Sequence, residues 1–151
     1  MKTFTALTLA AALVAVAPFG ATAAAHGGAC ALIAPADIVA STGHPPTGPM
    51  RLQAYPNDPG STCYVPTSAG TVNAGFFPLE GAKQMSSIRA GYGALETVHG
   101  IGDEAVYSKQ HSMLAIRRGK STMMLSLVSP DDVQNRRIMF ALGKRVAPKL
   151  R

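Results

Sequence analysis

Histidine is a common metal ligand, and His26 stands directly after a run of small residues, Ala21 to Ala25. Cleavage of the chain after Ala25 would leave a free amine and an imidazole on one residue. Cleavage after Ala23 would instead put the imidazole at the third position, behind the amine and two backbone amides. Both products offer nitrogen ligands of the kind that Cu(II) prefers. His26 is therefore a candidate copper ligand, and the alternative is a tail residue without a metal role.

The serine and histidine residues do not form a recognisable hydrolase motif. Ser121 and Ser126 lack the G-x-S-x-G pattern of a nucleophile elbow, and nothing in the spacing places them beside His99 or His111. We therefore predict no catalytic residues. An enzyme whose site is assembled from unrelated positions is the alternative that stays open.

The segment Gly100-Ile101-Gly102 superficially suggests a glycine-rich phosphate loop. It lacks the third glycine, and the acidic side chains of Asp103 and Glu104 behind it would repel a phosphate, so we predict a structural turn. Asp103 and Glu104 are also a weak acid pair for catalysis. Neighbouring side chains in a strand point to opposite faces, so the two carboxylates would not share a substrate.

A cluster of cations marks a predicted hairpin turn, where Arg117, Arg118 and Lys120 follow one another closely. We expect these side chains to be exposed and to bind a partner rather than to contribute to folding. The partner would be an acidic protein, polymer or lipid surface. No nucleic acid is expected, since the sequence lacks the aromatic platform of a single-strand binder. The alternative is a solvated basic face without a partner.

The N-terminal residues have the order of a secretion signal. Lys2 precedes an uncharged apolar run that is too short to span a bilayer, and small residues follow it. We predict a signal peptide over residues 1–25, cleaved after Ala23 or Ala25. The mature part, residues 26–151, is expected to be one periplasmic or secreted domain without a transmembrane segment.

The sequence contains two cysteines, Cys30 and Cys63. In an exported chain an even pair of cysteines favours a disulfide, which here would close a loop of about 34 residues. The alternatives are a pair of metal ligands or a redox dithiol. The sequence offers no C-x-x-C spacing and no neighbouring histidine for either, so the structural disulfide is preferred.

Helix signals are clearest near the two ends of the mature chain. A first helix is predicted over 33–43, with Pro35 at its first position and Gly43 after its last. A final helix is predicted to begin with Ser129 as the N-cap and Pro130 at the first position. Its apolar stripe, which should face the core, consists of Ile138, Leu142 and Val146.

Between these helices the sequence predicts short strands and one further helix. The predicted strands are 50–55, 61–65, 71–77, 96–98, 104–108, 113–116 and 121–128, with the helix at 79–92. Short turns between neighbouring strands imply antiparallel pairing. We therefore predict an α+β fold, in which an antiparallel sheet with helices packed on it forms one compact, disulfide-bonded domain.

Three motifs in order resemble those of small exported bacterial envelope proteins of unknown function. They are a C-x-L…P-x-D opening over 30–37, a second cysteine followed by Tyr64, and a G-I-G-D-E-A turn from Gly100. The resemblance implies a compact α+β domain with no assigned catalytic residues. The leading interpretation is therefore a non-enzymatic binding or interaction domain, and copper binding by His26 is the alternative from another class.

Overall fold

The computed structural model describes residues 28–151, so the predicted signal peptide and His26 lie outside the described residues. Within this range the helices are α1 (Pro35–Thr42), α2 (Gly81–Gly91) and α3 (Asp132–Val146), with short 3-10 helices at Ala29–Leu32 and Ala147–Lys149. The strands are β1 (Arg51–Ala54), β2 (Ser61–Thr67), β3 (Gly70–Phe77), β4 (Glu96–Val98), β5 (Glu104–Ser108), β6 (Met113–Arg118) and β7 (Ser121–Val128). None of the helices in this range is long and apolar enough to cross a membrane.

The seven strands of the described range form one sheet with the order β1-β2-β3-β7-β6-β5-β4. Every neighbouring pair is antiparallel. Two series of sequential strands, β1 to β3 and β4 to β7, are joined where β3 pairs with β7. The predicted α+β class with an antiparallel sheet is therefore confirmed.

One face of the sheet carries the main core, over which α1 and α3 pack. The predicted helix stripe and the alternating residues of β3 and β7 are all buried there: Ile138, Leu142, Val146, Val72, Ala74, Phe76, Met123, Leu125 and Leu127. Gly143 allows α3 to approach β6 closely, because a Cβ at this position would lie 2.6 Å from a side-chain carbon of Leu114. The bare glycine thus sets the distance between helix and sheet.

The opposite face of the sheet is covered only in part. There α2 packs against β6 and β7, and its Met85 and Ile88 join Val106, Met113 and Ala115 in a second, smaller core. The strands β1 to β3 have no helix over this face among the described elements. The sheet therefore has one face that carries the main core and one that is half open.

The helix boundaries agree with the sequence at α1 and differ at α3. Gly43 follows α1 with a φ of 83°, which is the left-handed conformation expected of a glycine at that place. The final helix begins two residues later than predicted, because Asp131 rather than Ser129 is the N-cap. The Asp131 carboxylate accepts the N–H of Gln134 at 2.9 Å, and a charged oxygen is the stronger acceptor for such a cap.

The helix α2 is also shorter than predicted. Glu80 precedes it in a left-handed conformation, with a φ of 59°, so the helix cannot extend back to Leu79. The N–H of Gly81 donates to the carbonyl of Lys120 at 2.8 Å. A tertiary hydrogen bond to the β6–β7 turn therefore fixes where α2 begins.

Asp37 joins α1 to the 3-10 helix that follows α3. Its carboxylate accepts the N–H of Ala34 at 2.8 Å at the start of α1, and it also accepts a hydrogen bond from Lys149 in that 3-10 helix. Burial alone would raise the pKa of Asp37, but these hydrogen bonds and the positive charges of Lys149 and Arg145 hold the pKa below its usual value. The carboxylate is thus stabilised in its charged form where the C-terminal residues contact α1.

The predicted disulfide is present and ties the start of the described chain to the sheet. Cys30, in the first 3-10 helix, is bonded to Cys63 on β2, with 4.9 Å between the Cα atoms. Next to it the N–H of Ala29 donates to the hydroxyl of Ser61 at 2.9 Å. Both sulfur atoms are used, and the described residues contain no free cysteine.

Replacing Cys30 and Cys63 together by serine should lower the free energy of unfolding by about 3–4 kcal/mol, because the unfolded chain regains the entropy of an open loop. Urea denaturation followed by circular dichroism measures this difference. Wild-type protein unfolded with a reductant present should show the same loss without any substitution. A double variant as stable as the oxidised wild type would contradict the prediction.

Asp37→Asn should lower the free energy of unfolding by about 1–3 kcal/mol at neutral pH, since a charged hydrogen-bond acceptor is lost. The pKa of Asp37 is lower in the folded protein than its ordinary 3.8, so the contribution is present above that value and disappears as the pH falls. Wild type and variant should therefore converge between about pH 5 and pH 2. Asp132→Asn, at an exposed carboxyl group, is the control, and a constant difference down to pH 2 would contradict the prediction.

Candidate functional site

The β6–β7 hairpin lies against the C-terminal end of α3. Its turn consists of Gly119 and Lys120, with Gly119 at a φ of 57°. The guanidinium of Arg118 donates to the carbonyl of Ala147 at 3.3 Å. Arg118 and Lys144 line the same open cavity of about 280 Å³. The hairpin and the helix thus bring together cations that are far apart in the sequence.

Arg117 has a different environment from the other two predicted binding residues. It is half-buried and pairs with Glu104 at 3.1 Å and with Asp103 at 3.8 Å. The prediction that all three hairpin cations are exposed and outside the folding contacts is therefore wrong for Arg117. The reason is the register of β5 and β6, which places Glu104 directly opposite Arg117.

Asp103 and Glu104 both contact Arg117, although we expected their side chains to point to opposite faces of a strand. Asp103 precedes β5 and lies in a turn, so the alternation of strand side chains does not apply to it. Its carboxylate accepts the N–H of Gly119 at 2.7 Å. The hydrogen bond from Arg89 is the main reason that the pKa of Glu104 is lowered; burial opposes it and Arg117 reinforces it. Asp103 and Glu104 therefore hold the β6–β7 hairpin in place.

The Gly100–Gly102 segment forms a turn that is packed against the same strand. Gly102 has a φ of 66°, and a Cβ on it would lie 2.6 Å from the carbonyl oxygen of Arg117. The N–H of Asp103 donates to that same oxygen at 2.9 Å. The glycine is thus required by the close approach of two backbones.

The basic residues of α3 are also used unequally. Arg136 forms a two-pronged pair with Glu96, with one contact of 2.6 Å, and lies 4.8 Å from the ring centre of Phe140. Three cations, namely Arg118 and Lys120 of the hairpin and Lys144 of α3, have no carboxylate within 4 Å among the described residues. We call these three residues the basic end.

The serines and histidines considered for catalysis are not brought together. The hydroxyl of Ser121 donates to the carbonyls of Pro78 and Arg151, and the ring of His111 lies edge-on to Tyr92, 5.2 Å away. Neither serine has a histidine among its hydrogen-bond partners in the described part of the chain. Within residues 28–151 no three metal-ligating side chains are grouped. Copper binding by His26 stays a prediction.

The half-open side of the sheet carries aromatic side chains that sequence reasoning missed. Burial alternates along β2 and β3, so Tyr64 and Phe77 point away from the main core, and Tyr55 stacks on Phe77. We call the surface formed by Gln53, Tyr55, Tyr64, Asn73 and Phe77 the open face. The strand alternation was visible in the sequence. The uncovered half of the sheet was not, because it depends on where α2 packs.

No protein-family model, curated protein sequence or solved structure matches the chain. The resemblance to small exported envelope proteins therefore stays a prediction.

The different environments of the hairpin cations lead to a stability prediction. Arg117→Ser should lower the free energy of unfolding by about 1 kcal/mol or more, because Arg117 joins a charge network with two carboxylates. Arg118→Ser and Lys120→Ser should each change it by less than about 0.5 kcal/mol, as is usual for exposed positions. Thermal denaturation of the three variants compares them directly. Equal losses at all three positions would contradict this division.

Proposed function

We propose that this protein is an exported, non-enzymatic binding domain that recognises an acidic protein segment through the basic end. The observation that carries the proposal is that Arg118 and Lys144 line one cavity, with Lys120 two residues from Arg118 in the hairpin turn. None of these three cations has a carboxylate partner among the described residues. The disulfide supports export, because such bonds persist in oxidising compartments. The expected compartment is the periplasm or the exterior of the cell.

The geometry favours an anionic partner at this end of the molecule. The carboxylate of Asp103 also borders the cavity, but it is held by the Gly119 N–H and lies 3.8 Å from Arg117. Its charge is therefore offset within the hairpin. The charges of Arg118 and Lys144 have no such offset, and together they give this region a positive potential.

Rigidity is the second support for a binding surface here. The backbone of the hairpin is fixed to α2 by the hydrogen bond from Gly81 to Lys120, and to the turn before β5 by the hydrogen bond from Gly119 to Asp103. A partner that binds the basic end does not have to order the elements that carry the cations. Less conformational entropy is then lost on binding.

A decaglutamate peptide is the probe for this proposal. The triple variant Arg118→Ser, Lys120→Ser, Lys144→Ser should bind it at least about tenfold more weakly at low salt, because three of the attracting charges are gone. The difference should shrink at about 0.5 M NaCl, where exposed charges are screened. Fluorescence anisotropy with a labelled peptide measures both effects.

The matched control removes three cations that are exposed elsewhere, with the variant Arg51→Ser, Lys109→Ser, Arg137→Ser. It has the same net charge as the test variant, so a loss confined to the test variant locates binding at the basic end. Equal losses in both variants would show that net charge alone attracts the peptide. Binding to phosphatidylglycerol vesicles and not to the peptide would replace the protein partner by a lipid surface.

A further inference from the structure

The open face differs from the basic end in position and in chemistry. It lies on β1 to β3, whereas the basic end lies at the β6–β7 turn and the end of α3. The register places Tyr64 beside Asn73 and Thr62 beside Gly75 on this side of the sheet. Aromatic rings, side-chain amides and a glycine therefore lie next to one another on one surface.

Two of its rings are fixed in position. Tyr55 and Phe77 stack with 6.2 Å between ring centres and 23° between planes, and the hydroxyl of Tyr55 is hydrogen-bonded to Thr62. The Phe77 ring leans over Gly75, where an added Cβ would lie 3.5 Å from a ring carbon. The Phe77 ring thus covers the sheet at Gly75, where no side chain competes with it.

The polar groups of the open face keep hydrogen-bonding capacity. The Tyr64 hydroxyl donates to Oε1 of Gln53 at 3.0 Å, so the amide nitrogen of Gln53 keeps both of its donors. The side chain of Asn73 has no hydrogen bond to any described residue and is partly exposed. Two amides therefore lie next to the rings, ready to exchange hydrogen bonds with a ligand.

The charges near the open face disfavour a polyanion. Asp58 and Glu80 line the cavity of about 210 Å³ that also contains Phe77. Arg51, the Cα partner of Tyr64, is the cation at the other end of the face. A nucleic-acid strand needs cations along its path to neutralise phosphates. Glu80 is paired with Lys83 at 2.9 Å, but the carboxylate of Asp58 at one end of the face opposes such a strand.

We propose that the open face binds a neutral carbohydrate chain. The C–H groups on the face of a sugar ring are weakly positive and stack on the negative face of an aromatic ring, while sugar hydroxyls exchange hydrogen bonds with the amides. Asn73, beside Tyr64, precedes Phe77 by four residues on β3, a distance of about 13 Å along the strand. That distance exceeds one sugar ring, so the surface suits a chain of several units.

The probes are two neutral oligosaccharides, chitohexaose and cellohexaose, with a thymidine dodecamer as the anionic comparison. Titration into nitrogen-15-labelled protein, followed by heteronuclear NMR, should shift the amide signals of β2 and β3 with at least one of the sugars. The signals of the β6–β7 turn should stay in place. The dodecamer should cause no shifts on the open face.

Three substitutions test the role of the rings and of Gly75 beneath Phe77. Tyr64→Ala should weaken binding about tenfold, whereas Tyr64→Phe, which keeps the ring, should stay within about twofold. Gly75→Val should also weaken binding, because its side chain would displace the ring of Phe77. Val133→Ser, at an exposed site on α3, is the control, and thermal denaturation confirms that each variant is folded.

Each other outcome overturns the proposal. No shift with either sugar at millimolar concentration would show that the face does not bind neutral glycans. Shifts with the dodecamer alone would assign the face to single-stranded nucleic acid. Sedimentation showing a dimer that Tyr64→Ala dissociates would assign the face to self-association. Unchanged sugar affinity in both Tyr64→Ala and Gly75→Val would move the site elsewhere. None of these results depends on the decaglutamate experiment.

Discussion

The pairing of β3 with β7 is the constraint on which the rest of the fold depends. It joins two series of strands that are each formed by local antiparallel neighbours, and it places Val72 opposite Leu127 and Ala74 opposite Leu125. Both apolar sets then face α3 together. A shift of the register by one residue would turn the apolar side of β7 away from the core. The main core and the position of α3 therefore follow from this one non-local pairing.

The same pairing explains why the second face of the sheet is half open. The helix α2 connects β3 to β4 and has eleven residues, Gly81–Gly91. It packs on β6 and β7, because Val106, Met113 and Ala115 provide the apolar surface that it covers. The side of β1 to β3 that points the same way receives no helix. Aromatic side chains that would form a core in a fully covered sheet are therefore left partly exposed.

Local patterns allowed the strands, α1 and the disulfide to be predicted from the sequence, since each depends on spacing or on the expected pairing of two cysteines. The start of α3 was misjudged for a local reason, the Asp131 cap. The other misjudged features depend on partners far away in the chain. Arg117 was predicted to be exposed, because only the register of β5 and β6 identifies Glu104 as its partner on the neighbouring strand. The start of α2 depends on the carbonyl of Lys120, and the open face depends on where α2 lies. Pairing between strands is thus the information that the linear pattern lacks.

The distribution of surface charge also depends on contacts between residues that are far apart in the sequence. The chain has a formal net charge of +6, but its field depends on where the acids are used. Asp37, Glu96 and Glu104 each pair with cations that connect separate elements, so these pairs contribute to the fold and project little charge outward. The excess then falls on cations with no carboxylate within 4 Å among the described residues, such as Arg118 and Lys144. Net charge predicts the sign of the field, whereas the tertiary placement of a few carboxylates determines which surface displays it.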